Sequence, residues 1–354
     1  MKTTERIEIA RFDRKNEAEV LRLLVERFPP GERQAVYERR LTRWRWQYYG
    51  NPNNPDMRPP VWVAREGKTL VGLVGGVPVR LRTPEGGVPG IWVVDLLVTP
   101  SARGRGVGKR LAIEIANAAP VAMVLGCTEA GLRANLAAGL KILGGFRAGN
   151  LVTSPVRFGI WGLRHKHYKD IGRLLAAAIK PFGGRRSAPA DTSAGSDFPP
   201  GTSALWDHVS AGYRFTVDRD TAYLDWRYRS HPRHAYTIVY TGPAASPTAI
   251  AVCRPPGTRP GIGIISDILV HPDDSQSLLD VVQGAVDFLR SQGAIAVSVD
   301  LPPALAGHLA HDFRYAVLRP LEMLVRSSDR SLDGHGIMDP RAWYISLSDS
   351  DQDY

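Results

Sequence analysis

The stretch Val98-Thr-Pro-Ser-Ala-Arg103-Gly-Arg-Gly-Val-Gly108 sits where a strand gives way to a helix. Upstream, Ile91-Trp-Val-Val-Asp-Leu-Leu-Val98 is a β-rich apolar run ended by Thr99-Pro100. Downstream, Gly106 to Ala118 carries apolar residues at helical spacing. Glycines at 104, 106 and 108 lack a Cβ, so the backbone can come close to a ligand. The first N–H groups of the helix have no partner inside it, and the helix dipole makes that end positive. Arg103, Arg105, Lys109 and Arg110 add cationic side chains. Such a turn is an anion cradle, and a pyrophosphate is its natural ligand. A P-loop needs Ser or Thr after Gly-Lys, but Arg110 follows Lys109. A dinucleotide fingerprint starting at Gly104 would need glycine at 109, and one starting at Gly106 would need it at 111; those positions hold Lys109 and Leu111.

Working outward, Arg6–Phe12 alternates like a strand, and Asn16–Phe28 and Glu32–Tyr49 read as helices. The second of these is rich in arginine and aromatic residues and stops at Gly50-Asn51-Pro52. Val61–Arg65, Thr69–Leu81 and Val88–Val98 read as strands. Val121–Leu125 reads as a short buried strand, Leu132–Leu143 as a helix and Phe146–Phe158 as a further strand. From 159 to 203 the chain holds a basic piece, Arg164–Lys169, and a Pro/Gly/Ser-rich run, which read as a solvated helix face and a linker.

Beyond the linker the first pattern returns. Trp46-Gln-Tyr48 before Pro52 is echoed by Trp226-Arg-Tyr228 before Pro232. Asp95-Leu-Leu-Val98-Thr-Pro100 is echoed by Asp267-Ile-Leu-Val270-His-Pro272, and Gly145-Phe146-Arg147 by Asp312-Phe313-Arg314. Three matches in one order argue for an internal duplication. The second copy has Asp273-Asp274 where the first has glycines, and those carboxylates would repel a pyrophosphate.

The chain has 354 residues, enough for about two domains. A net charge of +10 suits an anionic partner without choosing among a nucleotide, an acidic substrate, a nucleic acid or a membrane face. Two cysteines, Cys127 and Cys253, give no disulfide framework, and no apolar run reaches the ~20 residues of a membrane span. A cytoplasmic location is expected. The nine histidines show no metal-ligand spacing, so no metal is expected.

Arg103-Gly-Arg-Gly106-Val-Gly108, the strand before it, and Asn135 followed ten residues later by Gly145-Phe146 together resemble the GCN5-related N-acetyltransferase (GNAT) superfamily over roughly residues 7–158. The resemblance implies an α/β (α+β) fold of tandem GNAT-like domains, each a mixed, mostly antiparallel sheet flanked by helices. Residues 1–158 would be the acyl-CoA-binding domain, 159–203 the linker, and 204–354 a degenerate second domain with an acidic tail. It further implies transfer of an acyl group, acetyl above all, from acyl-CoA to a primary amine on a small molecule or peptide. Leu97, Val98, Arg103, Gly104, Arg105, Gly106, Val107, Gly108, Lys109 and Asn135 would hold the coenzyme, and the strand of Leu96–Val98 would splay from that of Val121–Leu125.

For catalysis, Asp95 is the candidate base and Glu129 a second polar candidate; Cys127 reads as a small core residue. The family's usual acid, a tyrosine four residues before the Gly of Gly-Phe, is replaced by Lys141. Two other readings stand beside this one: a tandem transferase fed by aminoacyl-tRNA, and a non-catalytic module binding acyl-CoA or nucleic acid. The aromatic and basic residues of 44–49 could stack on bases, but read first as core aromatics with solvated arginines; in the resembling family this region also borders the acceptor site, so substrate contact is a second reading.

Overall fold

The computed structural model describes residues 6–144, 146–152, 191–257, 261–301 and 315–350, with single positions 154, 157, 160, 305 and 309. Gly145, the basic piece 164–169 and the echo at 312–314 lie outside the described residues. The chain divides into two compact units.

Unit 1 comprises Met1–Leu143 and Glu322–Met338. Its sheet holds β1 (Ile7–Arg11), β2 (Val61–Glu66), β3 (Thr69–Thr83), β4 (Gly86–Val98), β5 (Val121–Leu125), β6 (Lys141–Ile142) and β15 (Met323–Ser327). The order is β1-β2-β3-β4-β5-β15-β6. Every neighbour pair is antiparallel except β4 with β5. Gly67, at φ 56°, takes the left-handed position in the two-residue turn between β2 and β3.

Alternation along β4 sends Ile91 and Val93 to one face, where they pack with Val107, Leu111 and Ile115 of α3 (Val107–Ala116). The other face is covered by α1 (Glu17–Val25), α2 (Arg33–Trp44) and a wide turn, Arg45–Tyr49; Trp44 of α2 and Tyr48 of the turn pack on Val61, Val63 and Leu73. The helix expected over Leu132–Leu143 is shorter. α4 runs Glu129–Ala137 and is stopped by Gly139 at φ 92°, which leaves room for β6.

Unit 2 comprises Gly144–Leu321 and Asp339–Tyr354. Its sheet runs β14 (Tyr315–Leu321), β7 (Phe146–Val152), β13 (Ala294–Leu301), β12 (Gly261–Leu269), β11 (Ala249–Arg254), β10 (Thr237–Thr241) and β8 (Thr192–Gly195). Read from β8, the directions repeat those of unit 1: three antiparallel steps, one parallel step between β12 and β13, then two antiparallel steps. A short parallel pair, β9 (Phe215–Val217) with β16 (Trp343–Tyr344), belongs to the same unit. The wide turn recurs as well, at Asp225–Arg229, so both Trp-x-Tyr echoes sit in the same unusual helical geometry.

Two domain limits expected from sequence are corrected. The strand expected to close the first domain before residue 158 forms over Phe146–Val152, but it pairs with β13 and β14 in the second sheet. In return β15 lies between β5 and β6 in the first sheet. The two units thus exchange a strand at the same place in the order. Part of the expected linker is also structured, because Thr192–Gly195 forms the edge strand beside β10. No described helix is long and apolar enough to cross a membrane.

Candidate active site: a splayed strand pair and an uncapped helix

β4 and β5 pair in parallel only from Gly90 to Trp92 against Val121 to Met123. Beyond that rung β4 continues to Val98 and β5 to Leu125 without bonding to each other, which is the expected splay. A bulge at the same place sharpens the divergence. Between the rungs Leu73↔Leu97 and Gly75↔Val94 the register slips, and Asp95 takes a left-handed conformation at φ 52°. Short polar residues tolerate this region better than others, and bulges re-aim side chains beside active sites. The far end of β4 is pinned by Thr99, whose N–H and hydroxyl both donate to the Val71 carbonyl at 2.9 and 3.1 Å.

The loop follows. Pro100–Ala102 makes one 3-10 turn, and Gly104 and Gly106 then take left-handed backbones at φ 76° and 73°. A Cβ at either would meet nothing within 4 Å, so glycine is needed here for conformation and not for lack of room. At Gly108 a Cβ would lie 3.5 Å from Ala134 and 3.8 Å from Val98, an ordinary contact. α3 starts with Gly106 as its N-cap and no side chain caps it. Its first amides are therefore left for a ligand.

All four loop cations are exposed, and Arg103 Nε donates to the Val98 carbonyl at 3.4 Å. Arg105 and Arg110 also bond other protein groups. Arg105 forms a forked pair with Glu66 at 2.8 and 3.1 Å, which raises its own pKa and lowers that of Glu66. Arg110 donates to the Ile7 carbonyl at 3.0 Å. At Arg105, then, only the backbone is left to serve a coenzyme. Asn135 on α4 is 2% exposed, and its Oδ1 has no hydrogen-bond partner among the described residues. A buried amide oxygen without a donor is costly, so a donor supplied by a ligand would repair it.

The catalytic candidates are placed less favourably. The Asp95 carboxylate accepts from Arg40 Nη1 at 2.9 Å and is 15% exposed. Burial would raise its pKa, but Arg43, Arg40 and Arg27 outweigh burial and hold it below the usual carboxylate range. It keeps its charge and has little basicity to offer. Glu129 is 85% exposed in the first turn of α4 and paired with Arg133 one turn on, the geometry of a surface ion pair. Lys141 is exposed in β6. Cys127 is exposed just past β5, not in the core; its thiol is pushed up by partial burial and by Glu322. The residues that sequence reading missed are the arginines of the first two helices. Arg43 is buried, donating to Gln47 at 2.9 Å, and Arg40 bonds Asp95; Arg45, the arginine of the 44–49 stretch, is exposed.

In unit 2 the helix after the parallel step starts differently. The helix Ser275–Ser291 is capped by Asp274, whose carboxylate accepts from the Ser277 N–H at 2.9 Å. The place of an anion is thus filled by the chain itself. Asp267, the echo of Asp95, is fully buried in a network with Arg219, Tyr228 and Tyr344 at 2.7 to 2.8 Å.

A sheet with one parallel step that splays beside an uncapped glycine start of a helix is an arrangement of the GNAT fold. Residues 18–138 match the model of the acetyltransferase (GNAT) family. Among solved structures, a GCN5-related N-acetyltransferase from Anabaena variabilis has 14% identity and a TM-score of 0.60, covering 92% of this chain and 73% of that one. N-myristoyltransferase of Saccharomyces cerevisiae, solved with bound myristoyl-CoA, has 12% identity and a TM-score of 0.57, covering 92% and 83%. A GCN5-related N-acetyltransferase from Kribbella flavida has 13% identity and a TM-score of 0.55, covering 92% and 72%. At these identities the likeness is one of fold. No curated protein matches the chain in sequence.

Proposed function

We propose that the protein is an acyl-CoA-dependent N-acyltransferase that moves an acyl group, acetyl in the first instance, to a primary amine. The observation that carries this reading is the splay of β4 from β5 leading into the uncapped start of α3. The loop amides from Arg103 to Gly108 would receive the pyrophosphate, with Arg103 and Lys109 adding charge from outside. The backbone of Leu97 and Val98 would border the pantetheine arm, and Asn135 Oδ1 would accept a hydrogen bond from the coenzyme. Acetyl-CoA supplies an activated thioester, and the chain's part is to hold it beside the bulge and admit the amine in its neutral form. Asp95 then serves to hold Arg40, not to take the proton.

The second unit, in this reading, is a degenerate copy. Its repeated strand order and its repeated wide turn support duplication, and the Asp274 cap argues against a second coenzyme site. The amides left bare in α3 favour coenzyme A over a tRNA-borne acyl donor. The test is thiol release from acetyl-CoA against an amine panel, with an aminoacyl-tRNA as the competing donor. Transfer from acetyl-CoA supports the reading, and transfer from the charged tRNA alone refutes it.

A further inference from the structure

The side chains of β4 break their alternation at one residue. Val93 packs in the cluster of α3. Val94 faces the other layer, where with Tyr48 and Val61 it crowds the place of a Cβ on Gly75. Strict alternation would return Asp95 to the α3 side. Instead its carboxylate accepts from Arg40 Nη1 of α2 at 2.9 Å. Alternation then resumes, with Leu96 against the α3 cluster and Leu97 against the cluster on the α2 side. Asp95 is therefore the residue that the bulge inserts, and its left-handed backbone at φ 52° belongs to that insertion.

An L residue enters this backbone at a cost, and it stays there when its surroundings hold it. The ion pair with Arg40 is such a hold. Both side chains are 15% exposed, so solvent screens the pair weakly. The strand beyond is thus fastened at two points, Asp95 to Arg40 and Thr99 to the Val71 carbonyl. Between them Leu96, Leu97 and Val98 are half-buried, whereas Gly90 to Val94 are buried. This opened edge lies past the last rung with β5, at Trp92. We infer that Arg40 is a positioning residue of the acyl-CoA cleft: its ion pair with Asp95 holds the inserted residue and so keeps the Leu96–Val98 edge turned away from β5, open to the pantetheine arm. The inference rests on the acyl-CoA reading above. Arg40 acts through Asp95 and not by touching the coenzyme. Its influence therefore falls on the arm and spares the nucleotide, whose loop takes its shape from Gly104 and Gly106.

The test is calorimetry on the full chain with two probes, acetyl-CoA and 3′-phospho-ADP, the nucleotide part of coenzyme A without its arm. If loss of the pair leaves the open edge populated about one time in ten, Arg40→Met weakens acetyl-CoA about tenfold. Binding of 3′-phospho-ADP should stay at the wild-type level. Arg40→Lys, which keeps the charge, should recover most of the loss. Asp95→Asn tolerates the same backbone and still accepts a hydrogen bond, so it should show the same pattern in smaller degree; it carries the test should Arg40→Met not fold. Adding Asp95→Asn to Arg40→Met should cost nothing further, because both act on one contact. Wild-type affinity for acetyl-CoA in Arg40→Met, or an equal loss for both probes, overturns the inference. A wild-type chain that binds neither probe overturns the acyl-CoA reading beneath it.

Discussion

Replacing Arg219 by methionine should strongly destabilise the second unit. The side chain is fully buried, and its N–H groups are all engaged. Nε donates to Asp267 at 2.7 Å, Nη1 to the Val217 carbonyl and Thr216 at 2.8 and 3.2 Å, and Nη2 to Ser346 and Asp349 at 3.0 and 2.8 Å. The guanidinium also lies 4.6 Å from the Tyr344 ring centre and 5.3 Å from that of Trp206. Removing it leaves two carboxylates, Asp267 and Asp349, buried without a counter-ion. Breaking a buried pair from one side costs about 3–5 kcal/mol. At roughly 2–4 °C per kcal/mol for a unit of this size, Tm should fall by about 6–20 °C. Urea unfolding followed by tryptophan fluorescence reads the loss, since Trp206 and Trp343 are buried in this unit. Adding Asp267→Leu and Asp349→Leu should restore most of it, because an apolar substitute for a buried ion cluster is often neutral. A loss below about 1 kcal/mol for the single variant would refute the view that this network fastens residues 344–350 to their unit.

Three further outcomes follow from the same reasoning. Gly106→Ala places an L side chain in a left-handed cap and should cost about 1–2 kcal/mol, whereas Gly108→Ala, with ordinary contacts, should leave stability near wild type; thermal unfolding separates the two. Residues 1–143 alone lack the strand that lies between β5 and β6, so they should aggregate, and joining 322–338 by a flexible linker should recover a soluble, cooperatively unfolding domain by circular dichroism. Asp95, with its pKa lowered below 3.8, contributes stability above that pH that fades as pH falls through the folded value, so Asp95→Asn should flatten the acid limb of a urea-midpoint profile taken from about pH 6 to 2.

What could be read from sequence was local. The glycine loop and the three strands before it are written in nearest-neighbour patterns, and they fall within a few residues of where they were expected. The strand exchange was not legible, because a local pattern that marks a strand near Phe146–Val152 carries nothing about which sheet it joins. Nor was the reach of the arginines. Helical spacing separates the faces of α2, yet only the approach of the β4 bulge pairs Arg40 with Asp95. Asp267 echoes Asp95 in sequence, but its partners Arg219, Tyr228 and Tyr344 lie far along the chain, so its structural role needed the fold to be seen.

The central claim is that one unit binds coenzyme A and the other does not. Isothermal titration of the full chain with coenzyme A tests it most directly. One site per chain is expected, weakened as salt is raised because Arg103 and Lys109 act through charge. No detectable binding, or two equivalent sites per chain, would contradict the account.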